Sequence, residues 1–138
     1  MTDDDFKSYA GDIGMAPVKL DAPCNLEQKH LDAFVEILGE DNVTTKDYPR
    51  LAVAYGKTGY DAARLRQRQI DSLPDVVLYP GTTEEVEKIV AYCTEQKIPL
   101  YVYGGGSSVT RGVEPTKGGV SLDMRKRFNK VLSLNEAD

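Results

Sequence analysis

Apolar and polar positions alternate most legibly between Leu73 and Asp123. The run Leu73-Pro-Asp-Val-Val-Leu-Tyr-Pro80 is β-like and is closed by Pro80-Gly81. Thr82, followed three residues later by Glu85, has the capping-box spacing, in which hydroxyl and carboxylate each satisfy an otherwise unpaired N–H at a helix start. Val86, Ile89, Val90 and Cys93 then recur at i, i+3, i+4 and i+7, with Glu84, Glu87, Lys88 and Glu95 largely off that stripe, and predict an amphipathic helix over about 83–96. Pro99 stops the helix and sets up a strand from Leu100 to Tyr103. A third β-like run, Gly119 to Asp123, follows, and a fourth, Lys130 to Leu134, lies beyond the basic stretch Arg125-Lys-Arg127. A helix of this length between two strands predicts a right-handed crossover joining parallel neighbours, hence a small β-α-β unit of an α+β fold.

The pattern before Leu73 is weaker. Residues 1–22 have no sustained periodicity and read as an extended arm. Asn25 is placed to cap a helix over about 26–38 whose apolar positions Leu31, Phe34, Val35 and Leu38 share a face, with Gly39 ending it as a left-handed residue. The stretch Asn42 to Pro49 is too polar and short to assign. Tyr60 to Asp71 reads as a helix with little apolar face of its own, which predicts packing on a neighbour outside this chain.

Candidate chemistry gathers at Tyr101-Val-Tyr-Gly-Gly-Gly-Ser-Ser108, where an apolar strand runs into three glycines and two hydroxyls. Two readings stand side by side. One is a tight turn of small residues. In the other, Gly104, Gly105 and Gly106 adopt positive φ or admit close approach and turn successive N–H groups toward a bulky anion, with Ser107 and Ser108 adding hydroxyl donors. No Gly-x-Gly-x-x-Gly opens a helix here, so the nicotinamide-type fingerprint is absent. Gly56-Lys-Thr58 lacks the earlier glycine of a nucleoside-triphosphate loop, since Leu51 occupies that position. The single His30 and the two cysteines, Cys24 and Cys93, have no metal-ligand spacing, and Cys93 on the apolar stripe reads as a buried thiol. Glu84, Glu85 and Glu87 suit the positive end of the helix dipole.

Composition narrows the partners. Hydrophobic residues make up 41% and charged residues 28%, ordinary values for a globular domain. A net charge of −5 argues against nucleic acid as a partner, and Arg64-Leu-Arg-Gln-Arg68 and Arg125-Lys-Arg127 read as solvated faces. No apolar run reaches the roughly 18–20 residues of a transmembrane segment, and Met1-Thr-Asp-Asp-Asp-Phe lacks the features of a signal peptide, so a cytoplasmic location is expected.

The order Leu-Pro-Asp-Val-Val-Leu-Tyr-Pro, Thr-Glu-Glu-Val-Glu-Lys-Ile-Val, Ile-Pro-Leu-Tyr-Val-Tyr-Gly-Gly-Gly-Ser-Ser-Val, Val-Ser-Leu-Asp-Met resembles the start of the FAD-binding domain of the vanillyl-alcohol oxidase / p-cresol methylhydroxylase superfamily. Within it the likeness is greatest to glycolate and D-lactate dehydrogenases and to alkyldihydroxyacetonephosphate synthase. The resemblance covers about 73–138. It implies a first lobe of a PCMH-type FAD-binding domain over 73–138, preceded by an N-terminal helical arm over 1–72 whose Arg-bearing segment Ala62 to Arg68 echoes the synthase. It also implies FAD as cofactor, held by Val102, Tyr103, Gly104, Gly105, Gly106, Ser107 and Ser108 around the pyrophosphate. Tyr103 stands where relatives carry smaller or aliphatic residues, so its ring either packs beside the cofactor or caps the sheet. Some members attach FAD covalently through a histidine or cysteine near this loop. Positions 101–112 have neither, which implies noncovalent binding there.

Because relatives continue past the position of Asp138, the chain is expected to be the N-terminal portion of a longer enzyme, with substrate held by a C-terminal domain. No catalytic residue is then expected within it, and a homodimer is a candidate assembly. The activity expected first is oxidation of a 2-hydroxy acid by hydride transfer to flavin N5. The alternative is alkyldihydroxyacetonephosphate synthesis, without net redox change, and a second is a stand-alone non-catalytic binding module.

Overall fold

The computed structural model describes residues 19–135 of the 138-residue chain. Of the arm expected over residues 1–22, residues 1–18 lie outside them. In chain order the elements are helix α1 (Gln28–Leu38), a 3-10 turn (Glu40–Asn42), strand β1 (Val43–Thr44), helices α2 (Asp47–Ala52) and α3 (Gly59–Arg66), strand β2 (Val76–Leu78), helix α4 (Thr83–Gln96), and strands β3 (Leu100–Tyr103) and β4 (Val120–Asp123).

The fold is α+β, a four-stranded sheet in the order β1-β2-β4-β3 with helices packed on it. β2, β4 and β3 are parallel, and β1 pairs antiparallel with β2. The crossover through α4 therefore does not join neighbours, as the sequence pattern had implied: β4 inserts between β2 and β3. The reason is long-range. Asp75 N donates to Gly119 O (2.7 Å) while Gly119 N donates to Asp75 Oδ2 (2.6 Å), locking the start of β4 beside β2. Gly119 itself has φ +81°, and a Cβ there would strike the backbone of Pro99, so only glycine lets β3 and β4 converge.

Each face of the sheet has its own core. Val76 and Leu78 of β2, with Val120 and Leu122 of β4, meet Phe34, Leu38, Ile89 and Cys93 of α1 and α4. Val77, pointing the other way, meets Val53, Tyr103 and Val113. β2 is thus buried on both faces, as its unbroken Val-Val-Leu run requires. Full burial of Ile89 alone is worth about 1.5–3 kcal/mol.

The helices follow their local codes with instructive departures. α4 spans the expected residues, and Thr82 Oγ1 accepts from Glu85 N (3.1 Å). Its inward stripe, however, is made of buried Ile89 and Cys93 flanked by half-buried Val86 and Tyr92. Val90 is 43% exposed, because the large Tyr92 turns inward to pack edge-on against Phe34, centroids 5.4 Å apart, and to hydrogen-bond His30 Nδ1 (2.9 Å). His30 is therefore a helix-packing residue. Asn25 does not cap α1, since its backbone N–H donates to Asp75 Oδ1 and Glu27 takes the N-cap position. Gly39 does end α1 with positive φ (+81°). Asn42 to Pro49, left open by the sequence, supplies β1 and the start of α2. The segment 60–71 is helical only to Arg66. The last apolar run, 130–134, forms no strand: Val131, Leu132 and Leu134 are 80–92% exposed, with no free strand edge engaging them. Among the described residues, no helix is long and apolar enough to cross a membrane.

Candidate functional site

The parallel strands β2, β4 and β3 end on one side of the sheet, and in open α/β sheets ligands are held beyond such carboxyl ends. Three segments leave from there: Tyr79-Pro-Gly81 from β2, Met124-Arg125 from β4, and the glycine loop from β3. The start of α4 is closed to an outside anion, because Gly81 N donates to Glu85 Oε2 (2.6 Å) and Arg127 pairs with the same carboxylate (3.0 Å). Burial pushes the Glu85 carboxyl up, but the Gly81 amide and Arg127 outweigh it, and its pKa lies below the ordinary 4.5. Neither basic cluster is simply solvated. Arg127 also donates to Tyr79 O, and Arg125 forks onto Asp123 (Nε to Oδ1 2.9 Å, Nη2 to Oδ2 2.7 Å) with its guanidinium 4.6 Å from the Tyr103 ring centroid. Burial, then the charge of Asp123, raises the Tyr79 hydroxyl pKa.

The glycine loop is the open segment of this rim. Among the described residues, none of the five amides from Gly104 to Ser108 donates to a protein acceptor. Backbone N–H groups without partners must be solvated or bind a ligand. Only Gly106 of the three glycines lies in the left-handed region (φ +68°). Gly104 and Gly105 do not, so of the two possibilities read from the triplet, positive φ or room for close approach, only the second is open to them. Instead they leave open space where a Cβ would project, which is room for a group to approach the chain. Val102 is exposed at the end of β3, and Tyr103 is buried with its ring under Gly106, so the ring props the loop from below. Ser107 is exposed, while Ser108 Oγ already accepts from Gly112 N (3.2 Å). All seven residues proposed from the sequence thus lie in one continuous segment at the strand ends, with the Tyr103 ring turned away from its open side.

Residues outside the predicted set brace this loop. Gly56 sits so close to Ser108 O that any side chain there would displace the loop backbone. Beyond Ser108 the chain returns through Arg111, itself at φ +63°, whose guanidinium lies 4.2 Å from the Tyr60 ring centroid. Glu114, buried, accepts from Arg64 Nη1 (2.8 Å) and Ser72 Oγ (2.9 Å). Arg64 is buried too, lies 4.7 Å from the Tyr55 ring centroid and also pairs with Asp71. Its carboxylate partners hold its pKa above the usual guanidinium value. α3 therefore needs no apolar stripe, since it packs through Asp61 and Arg64 within this chain. Its composition concealed that: a buried arginine is recognisable only once its acceptor, 50 residues away, is in place. Beside the loop root, a cleft of about 1200 Å³ is lined by Tyr55, Leu73, Arg68, Tyr103 and Arg125, among others.

The FAD binding domain family matches residues 74–138, which span β2, α4, β3, the loop and β4. The chain matches the PCMH-type FAD-binding superfamily. It is 31% identical over 118 residues to the alkyldihydroxyacetonephosphate synthase of Trypanosoma brucei brucei, covering 82% of this chain and 19% of that protein. It is 29% identical over 105 residues to a glycolate oxidase subunit of Bacillus subtilis, covering 76% and 20%. A solved alkyldihydroxyacetonephosphate synthase superposes with a TM-score of 0.77 at 28% identity, over 84% of this chain and 24% of that one. The chain thus spans about a fifth of the length of these curated relatives. FAD is the cofactor of this PCMH-type domain. The loop fits it, because unpaired amides and the open space over Gly104 and Gly105 suit a diphosphate lying against backbone.

Proposed function

We propose that Val102 to Ser108 holds the FAD pyrophosphate and that the whole protein is a flavoenzyme of the alkyldihydroxyacetonephosphate synthase type. The observation that carries the first part is the row of five amides from Gly104 to Ser108 with no protein acceptor among the described residues, on a loop open at Gly104 and Gly105. Converging N–H groups bind a diphosphate without a charged side chain, and the Ser107 hydroxyl adds a donor. The Tyr103 ring holds the loop from beneath, and Arg125, pinned by Asp123, keeps that ring in place. When bound, FAD supplies the reactive isoalloxazine, and this chain's part is to anchor the other end of the molecule and fix its direction. No residue here is assigned to the reacting atoms.

For the reaction, similarity to the synthases over 82% of the chain, together with the 0.77 superposition, supports the alternative reading of the sequence better than its first one. Oxidation of a 2-hydroxy acid becomes the second reading, favoured by the likeness to the glycolate oxidase subunit. Purified full-length gene product should form alkyldihydroxyacetone phosphate and should not bleach a redox dye with glycolate or D-lactate. Dye reduction without alkyl transfer would reverse the two readings. Failure of the protein to take up FAD would refute both.

A further inference from the structure

We propose that Tyr60 and Arg64 of α3, which lie ahead of the segment matched by the FAD-binding family, are positioning residues that set the shape of the flavin loop. The proposal rests on the reading that this loop holds the FAD phosphates. The loop leaves β3 at Tyr103 and re-enters the sheet at Val120, so its amides can converge only if the return limb is held at a fixed place. Two points on that limb are fixed, and α3 fixes both. Arg111 lies against the Tyr60 ring, and Glu114 meets the Arg64 guanidinium at 2.8 Å. Between them, Glu114 N donates to Arg111 O (3.0 Å) and closes a single turn, so the two clamps hold the ends of one rigid unit.

Arg111 has φ +63°, a conformation that a side chain other than glycine adopts mainly when its surroundings impose it. The Tyr60 ring is the platform its guanidinium rests on. Arg64 and Glu114 are both buried, and a buried ion pair contributes less to stability than to a defined geometry, because desolvation offsets its attraction. The limb leading into this turn is constrained from the same region, since Ser108 O lies against Gly56 just ahead of α3. α3 and the turn before it therefore form a mount for the loop, and FAD affinity should depend on side chains outside the glycine loop.

The test uses apo protein prepared from the full-length gene product and titrated with FAD by flavin fluorescence, with trypsin cleavage after the exposed Arg111 as a second readout. Tyr60 is 56% exposed, so Tyr60→Leu removes the platform without opening the core. It should weaken FAD by roughly threefold, the scale of an exposed cation–π contact, and speed cleavage at Arg111. Arg64→Met should weaken FAD by about tenfold, within the usual range of coupling between sites, and Arg64→Lys should recover part of that loss. Arg64→Met risks misfolding, so Tyr60→Leu and Arg64→Lys carry the decision. If both bind FAD as the parent does, with unchanged cleavage at Arg111, the mount is structural only and the proposal is overturned. A parent that takes up no FAD refutes the reading of the loop itself, and this inference with it.

Discussion

Gly105→Val and Gly106→Ala should impair the protein in opposite ways, although the two glycines are adjacent. At Gly106 the backbone is left-handed (φ +68°), which costs an L-residue about 1–2 kcal/mol. The new Cβ would also overlap the Tyr103 ring. Tyr103 is buried and carries Arg125 at 4.6 Å, so displacing it forfeits that contact, worth roughly 0.5–2 kcal/mol. Together these make Gly106→Ala about 1.5–4 kcal/mol less stable as apo protein, a melting midpoint lower by roughly 5–12 °C if the unfolding unit is a domain of this size. At Gly105 there is no positive φ, and nothing lies within 4 Å of the new Cβ. Gly105→Val should thus leave the apo midpoint within about 0.5 kcal/mol of the parent. Its two methyl groups would occupy the space proposed for the diphosphate, and FAD affinity should fall by at least about tenfold, or ~1.4 kcal/mol. Melting of the apo proteins and FAD titration separate the two effects. Parental FAD affinity in Gly105→Val would refute the pyrophosphate reading, and an unmoved midpoint in Gly106→Ala would refute the left-handed geometry above Tyr103.

Three further outcomes are expected. Ile89→Asp buries a carboxylate without a partner and should cost several kcal/mol in chemical denaturation, whereas Val90→Asp, one residue away, should stay within about 0.5 kcal/mol; equal effects would mean that the buried stripe of α4 is misplaced. Glu85 has a folded pKa below 4.5, so its contribution to stability is complete above about pH 4.5 and is lost as pH falls through the folded value. Denaturation across that window should show a shallower acid limb for Glu85→Gln, and an unchanged limb would remove the Gly81–Glu85–Arg127 link from the account. Burial pushes the Cys93 thiol up to about 11, so at mildly alkaline pH a thiol reagent should modify the half-buried Cys24 well before Cys93, as mass spectrometry of each cysteine would reveal.

α4 and β3 were legible in the sequence almost to the residue because their signals are local. Thr82 and Glu85 start the helix within one turn, and Pro99 ends it within three residues. The glycine loop was legible as a candidate site for the same reason: a strand that runs into three glycines exposes backbone wherever it sits. Tyr92 replaced Val90 on the inward stripe because helical period defines a broad face, and only contact with Phe34 and His30 selects residues within it. The order of the strands, by contrast, depends on Asp75 finding Gly119, 44 residues away, and no window along the chain contains both. The same holds for α3, whose charges read as solvent-facing until Glu114 arrives beside Arg64. The apolar run 130–134 marks the opposite limit, since a β-like pattern forms a strand only when another strand lies alongside to complete its hydrogen bonds. Local patterning thus decided which elements form and where backbone lies bare, while tertiary contact decided their neighbours and which charges are buried, because pairing energies are set by partners distant in sequence and adjacent only in the folded chain.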